Sequence, residues 1–267
     1  MDVRPIGIFD SGVGGLTVAN AIKQILPTES IVYFGDTAHL PYGDKSSEAI
    51  KFYSKKITEF LLEHDAKVVL IACNTASASA FEYLKAEFEN KTIILDVIDP
   101  VVDHLQNRTI NKIGVIGTKR TISAGAYASK LNKAMPSATV VSLATPLFAP
   151  MIEEGFIGDD VSDVIVKSYL SNDVLSEIEA LILGCTHYPI IENQIRKIFN
   201  SNVEIVDSAK IVSIVLRDLL EKNNLLNDGT GMVNDRFFVS DYTESFEKIA
   251  RMFFKGEINL SKADIWS

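Results

Sequence analysis

Cysteine is scarce in this chain, with only Cys73 and Cys185 among 267 residues. That scarcity excludes a disulfide-stapled secreted fold and points to a reducing compartment. A metal site would need more ligands than these two thiols and a neighbouring histidine at this spacing, so no metal is expected. Basic residues are in deficit too: 26 Lys and Arg stand against 35 Asp and Glu, a formal net charge of −9. Nucleic acids and anionic membranes are normally held by a basic face, and neither is an expected partner. No apolar run approaches the ~20 residues of a membrane span. Met1-Asp2-Val3-Arg4-Pro5 lacks the apolar core of a secretory signal, so the expected location is the cytoplasm. Low-complexity tracts and Pro-rich linkers are missing as well. With 47% apolar and 23% charged residues, the composition is that of a globular protein.

What the chain does have is repetition. Val68-Val69-Leu70-Ile71-Ala72-Cys73-Asn74-Thr75 is echoed by Ala180-Leu181-Ile182-Leu183-Gly184-Cys185-Thr186-His187. Each is a short apolar run ending in a small residue, a cysteine and polar residues. Such runs read as buried parallel strands. Each thiol then lies just past a strand's C-terminal end, where open α/β sheets bind ligands. Ile6-Gly7-Ile8-Phe9-Asp10-Ser11-Gly12 resembles Ile113-Gly114-Val115-Ile116-Gly117-Thr118-Lys119 at nearly the same offset. A lone cysteine after an apolar strand usually just fills space. Two in matching contexts suggest duplicated halves whose thiols flank one cleft.

The rest of the chain alternates strands and helices, as in a mostly parallel α/β protein. Strands are predicted over 3–9, 30–35, 67–72, 92–97, 112–116, 138–143, 180–184, 203–206 and 236–240. Helices are predicted over 16–26, 46–63, 75–89, from about 119 to 135, and over 159–170, 208–222 and 245–254. Residues 223–231 read as a polar loop. The fold expected is two similar three-layer α/β domains related by a pseudo-two-fold axis, with the active site between them. The first domain would comprise residues 1–97 plus 208–267, and the second 98–207. Asp10-Ser11-Gly12-Val13-Gly14-Gly15 is a Gly-rich strand-to-helix turn, but Thr17 stands where a dinucleotide fingerprint has glycine. Pro41-Tyr42-Gly43 reads as a turn at another strand end.

Two opposed thiols suit one chemistry in particular. One, as thiolate, removes a proton from a carbon acid; the other, as thiol, delivers a proton to the opposite face. The stereocentre inverts. Free thiols titrate near pH ~8.5, which suits a site that must run in both directions. The small residues after Thr75 predict a helix start beside Cys73, which would lower its pKa. Ser11, Asn74, Thr75, Thr118, Thr121 and Thr186 occupy loop positions from which they can donate hydrogen bonds to a substrate carboxylate. Asp10 and His187 are placed to set the protonation of the nearer thiol.

Four segments carry a resemblance over essentially the whole chain. They are Ile8 to Thr17, Tyr33 to Ala38 with Pro41-Tyr42-Gly43, Ala72 to Ser77, and Leu183 to Pro189. In order and spacing they resemble the glutamate racemases, of the cofactor-independent aspartate/glutamate racemase superfamily. The resemblance implies interconversion of L- and D-glutamate without a cofactor, supplying D-glutamate for peptidoglycan, by a protein that is usually a homodimer. It implies Cys73 and Cys185 as the acid/base pair, the first acting on the D- and the second on the L-enantiomer. Asp10, His187 and Glu153, with Glu154 adjoining, match assisting residues. Asp10, Ser11, Pro41, Tyr42, Gly43, Asn74, Thr75, Thr118, Thr121, Thr186 and His187 match substrate-contacting positions.

Two rivals stand beside this reading. A racemase of the same superfamily acting on aspartate or another amino acid would differ in pocket shape, which sets substrate length. A Cys-His hydrolase using Cys185 and His187 leaves Cys73 without a role.

Overall fold

The computed structural model describes residues 2–199, 202–229 and 232–266. Its strands are β1 (Ile6–Asp10), β2 (Ile31–Gly35), β3 (Val68–Ile71), β4 (Ile93–Leu95), β5 (Lys112–Gly117), β6 (Thr139–Ala144), β7 (Ala180–Gly184), β8 (Glu204–Asp207), β9 (Arg236–Val239) and β10 (Leu260–Lys262). They form two sheets in which every pairing is parallel. One sheet has the order β10-β9-β2-β1-β3-β4 and the other β6-β5-β7-β8. The central strands β1, β2, β3 and β7 are buried at every position, as strands covered by helices on both faces must be.

The two sheets repeat one pattern. In β2-β1-β3-β4 and in β6-β5-β7-β8 the first strand of the set lies second, with its successor on one side and the third strand on the other. β3 and β7 are thus equivalent, and so are the thiols that follow them. The connection leaving the first strand and that leaving the third diverge at this point, opening a crevice at the C-terminal strand ends. β9 and β10 return from the last part of the chain and extend the first sheet beyond β2.

Some expectations needed adjustment. The single helix predicted to about residue 135 is two, Lys119–Ala124 and Ala126–Ala134. Gly125, at φ 67°, sits between them in the left-handed region that side chains disfavour. Pro41-Tyr42-Gly43 leads into a short 3-10 helix, Tyr42–Asp44. β10 was not predicted, because Leu260-Ser261-Lys262 is too short and too polar to announce a strand. The predicted loop over 223–231 is irregular from Leu225 to Gly229, and Thr230 and Gly231 lie outside the described residues.

Below the strand N-termini a charge pair ties distant segments together. Lys67 Nζ donates to Glu29 Oε2 at 2.6 Å and to the carbonyls of Leu225 and Asp2 at 2.7 and 2.8 Å. Glu29 Oε1 accepts from the Asn227 N–H at 2.8 Å. Both side chains are fully buried. Removing one member leaves an uncompensated interior charge. Lys67→Met is therefore expected to cost about 3–5 kcal/mol in urea unfolding, and adding Glu29→Gln should recover part of that loss.

Candidate active site

Cys73 follows β3 and is itself the N-cap of the helix Asn74–Glu87, its sulfur accepting from the Ala76 N–H at 3.4 Å. The thiol donates to Ser11 Oγ at 3.7 Å. Asp10 ends β1 in full burial. Its Oδ2 accepts from the Gly15 N–H at 2.9 Å, while Oδ1 has no hydrogen-bond partner. Burial raises the Asp10 pKa, against the opposing pull of the His187 charge and the Gly15 N–H.

The helix start beside Cys73 is present, but the lowered pKa expected from it is not. Burial first, and then the neighbouring Asp10 carboxylate, push the thiol well above its usual value. The Ala76 N–H and Ser11 act in the other direction and are outweighed. A helix-terminus effect of about 0.3–1 kcal/mol is small beside desolvation that can move a buried group by several pK units.

Cys185 stands in the turn after β7, with its sulfur 3.6 Å from His187 Nδ1. On its other side the imidazole meets Glu153, Nε2 to Oε1 at 2.8 Å. Burial pulls the His187 pKa down, but contact with Cys185 and then with Glu153 outweighs it and holds the imidazole well above its ordinary value. Glu153 is the last residue of the helix Phe148–Glu153, whereas Glu154 is exposed.

Polar contacts from the two sheets meet between these thiols. The hydroxyls of Thr75, Thr118 and Thr121 form a triangle with each pair 3.0 Å apart. Tyr127 donates to Asn74 Oδ1 at 2.7 Å, and the buried Asn74 Nδ2 has no hydrogen-bond partner. A cavity of about 210 Å³ opens here, and both Cys73 and Cys185 line it. That volume lies below the ~300–1,000 Å³ of drug-sized sites and suits a small metabolite.

Most of the residues singled out in the sequence lie on this cavity. Ser11, Asn74, Thr75, Thr118 and Thr186 line it, as do Pro41, Tyr42 and Gly43. Glu153 and His187 complete that set. Asp10 and Thr121 do not reach the wall; they stand behind Cys73 and Thr118 respectively. Leu40, Ala149 and Pro150 form an apolar part of the wall that sequence reasoning missed. Their signal was spacing: Ala149 and Pro150 precede Glu153 by four and three residues on one helix, so they share its face. Tyr127 was also missed, because its role rests on packing against Asn74 of the other half. A larger cavity of about 410 Å³, bordered by Leu170 and Val203, contains neither thiol.

Residues 14–213 match the family model for Asp/Glu/Hydantoin racemases. The chain belongs to that family. Within it the chain is similar to glutamate racemases: that of Chlorobaculum parvum is 39% identical over 95% of this chain and 93% of its own length. That of Persephonella marina is 41% identical over 97% of each. The crystal structure of glutamate racemase from Francisella tularensis in complex with D-glutamate superposes with a TM-score of 0.93. It is 40% identical and covers 100% of this chain and 99% of that one. An aspartate racemase homologue from Pyrococcus horikoshii superposes at a TM-score of 0.58 with 21% identity, a likeness of fold alone.

The raised His187 pKa makes stability depend on pH with a definite sign. Stability from a raised pKa is fully present below the unfolded value, about 6.5 for histidine, and is lost as pH rises through the folded value. Glu153→Gln removes one raising contact. The imidazole titration, followed by NMR, should move to lower pH in the variant. Its stability deficit against the wild type, at most about 1 kcal/mol for a partly exposed pair, should be largest below about pH 6.5 and shrink at higher pH.

Proposed function

We propose that Cys73 and Cys185 are the two proton-transfer groups with which this glutamate racemase inverts the α-carbon of glutamate. The observation that carries the reading is that both cysteines line one cavity from equivalent positions of two different sheets. A hydrolase built on Cys185 and His187 would leave the second thiol on the same cavity unexplained.

From D-glutamate, Cys73 as thiolate takes the α-proton and the Cys185 thiol delivers one to the opposite face. From L-glutamate the roles reverse. Because burial and Asp10 favour the thiol form of Cys73, its proton needs an acceptor. Asp10, with one oxygen unpartnered and Cys73 as a neighbour, fills that role. His187, held by Glu153, serves Cys185 in the same way. Charge developing on the substrate is met by preorganised donors: the free Asn74 Nδ2 and the hydroxyls of Ser11, Thr75, Thr118 and Thr186. Pro41-Tyr42-Gly43 closes one side of the pocket, and Thr121 fixes the other two threonines from behind.

The same reading divides the chain into domains at 1–97 with 208–267 and at 98–207, in keeping with the membership of the two sheets. The family likeness supports a homodimer, to be read by sedimentation. A cytoplasmic site of action suits a peptidoglycan precursor, and among the described residues no helix is long and apolar enough to cross a membrane.

The test is incubation with D-glutamate in D2O without added cofactor, following optical activity by circular dichroism and the α-proton by NMR. The wild type should racemise glutamate with deuterium entering at the α-carbon. Cys73→Ser and Cys185→Ser should each lose about 10²–10⁴-fold in turnover. Either variant retaining turnover within tenfold of the wild type would sink the two-thiol assignment.

A further inference from the structure

The Gly-rich turn after β1 has the look of an anion cradle, but it is occupied by protein. A Cβ on Gly14 would lie 2.4 Å from His187 Cε1, 2.6 Å from His187 Nδ1 and 2.6 Å from Thr186 Oγ1. The turn is the seat of the Cys185-Thr186-His187 segment, and glycine is required at 14 because the imidazole rests against its Cα.

The segment seated there has a gap in its own hydrogen bonding. Its backbone closes in i to i+3 steps: the Tyr188 N–H donates to the Cys185 carbonyl at 3.2 Å, and the Ile190 N–H to the His187 carbonyl at 3.1 Å. The step between would join the Thr186 carbonyl to residue 189, which is proline and has no N–H. The buried Thr17 hydroxyl donates to that carbonyl instead, at 2.9 Å, from the first turn of the helix Leu16–Ile25. Its other acceptor, the Gly14 carbonyl at 3.0 Å, already takes the Thr17 N–H.

We propose that Thr17 is a positioning residue for the Cys185 side of the reaction, its hydroxyl replacing across the seam the backbone donor that Pro189 removes. Together Gly14 and Thr17 hold His187 and Thr186 in register with the first sheet. This rests on the two-thiol reading, since what is positioned is Cys185 and its imidazole.

The experiment compares wild type, Thr17→Val, which keeps the shape and removes the hydroxyl, and Thr17→Ser, which restores it. Rates are measured in both directions with α-protiated and α-deuterated L- and D-glutamate. The enantiomers have equal free energy, so kcat/KM must fall equally in both directions for any variant. A fault confined to one thiol shows instead in the isotope effects. Thr17→Val should lose about tenfold in kcat/KM, with the isotope effect rising for deuterated L-glutamate, whose proton goes to Cys185, and not for the D-enantiomer. Thr17→Ser should stay within about threefold of the wild type. Thr17→Val with wild-type rates and isotope effects, Thr17→Ser as impaired as Thr17→Val, or isotope effects moving together for both enantiomers would each overturn the proposal. A fully active Cys185→Ser would instead overturn the two-thiol reading, whatever the Thr17 variants do.

Discussion

Hydrogen bonds across the seam between the two sheets position the residues that follow the two thiols. Those nearest the thiols join a residue that adjoins a cysteine to an element of the opposite half. Asn74 and Thr75, directly after Cys73, bond to Tyr127 and to Thr118 and Thr121. Thr186, directly after Cys185, takes the hydroxyl of Thr17. The apolar packing is also continuous across the seam, with Val13 and Leu16 in one cluster with Phe148, Met151 and Tyr188. Apolar contact is non-directional and sets only proximity. The angular demands of the hydrogen bonds fix position. Each neutral bond contributes about 0.5–1.5 kcal/mol net, so the arrangement is defined without any single contact being indispensable to folding.

The two halves share one backbone topology around the site, while their side chains differ. Asp10 at the end of β1 corresponds to Gly117 at the end of β5. Asp10 pairs with Gly35 in the neighbouring strand and Gly117 with Ala144. The carboxylate beside the first thiol therefore has no counterpart beside the second. There the titratable partner comes from the turn after the strand, as His187, and its own carboxylate from a helix before it, as Glu153. One topology thus supplies two unlike environments at equivalent positions.

Much of this was legible in the sequence, because parallel strands buried on both faces announce themselves as apolar runs and their loops as polar punctuation. The paired contexts of Cys73 and Cys185, the positions of the central strands along the chain and most of the cavity wall follow from that pattern. Features that depend on long-range packing were not legible. Glu153 could not be told from Glu154, because only the position of His187 distinguishes them. Tyr127 reaches Asn74 from a helix with no motif. β10 exists because β9 offers it an edge, not because its residues demand a strand. The protonation of Cys73 was misread for the same reason. The helix start is local and visible, while the burial and the Asp10 carboxylate that outweigh it come from the fold.

Unlike environments around the two thiols cannot favour one enantiomer at equilibrium, because the two products are mirror images in free energy. Under the two-thiol proposal they can only set which protonation state the free enzyme holds and which proton transfer is slower. Burial and then Asp10 favour the thiol form of Cys73, while contact with Cys185 and then Glu153 favours the protonated imidazole of His187. The two cysteines therefore stand in unlike electrostatic surroundings. The burial that makes the Cys73 thiolate harder to form also keeps the local dielectric low. Under the proposed mechanism the donors of Asn74 and the threonines would act most strongly in that setting, on the charge that develops as the α-proton leaves. The cost at the thiol and the gain at the substrate have one cause, so a cleft more open to water would ease the first only by weakening the second.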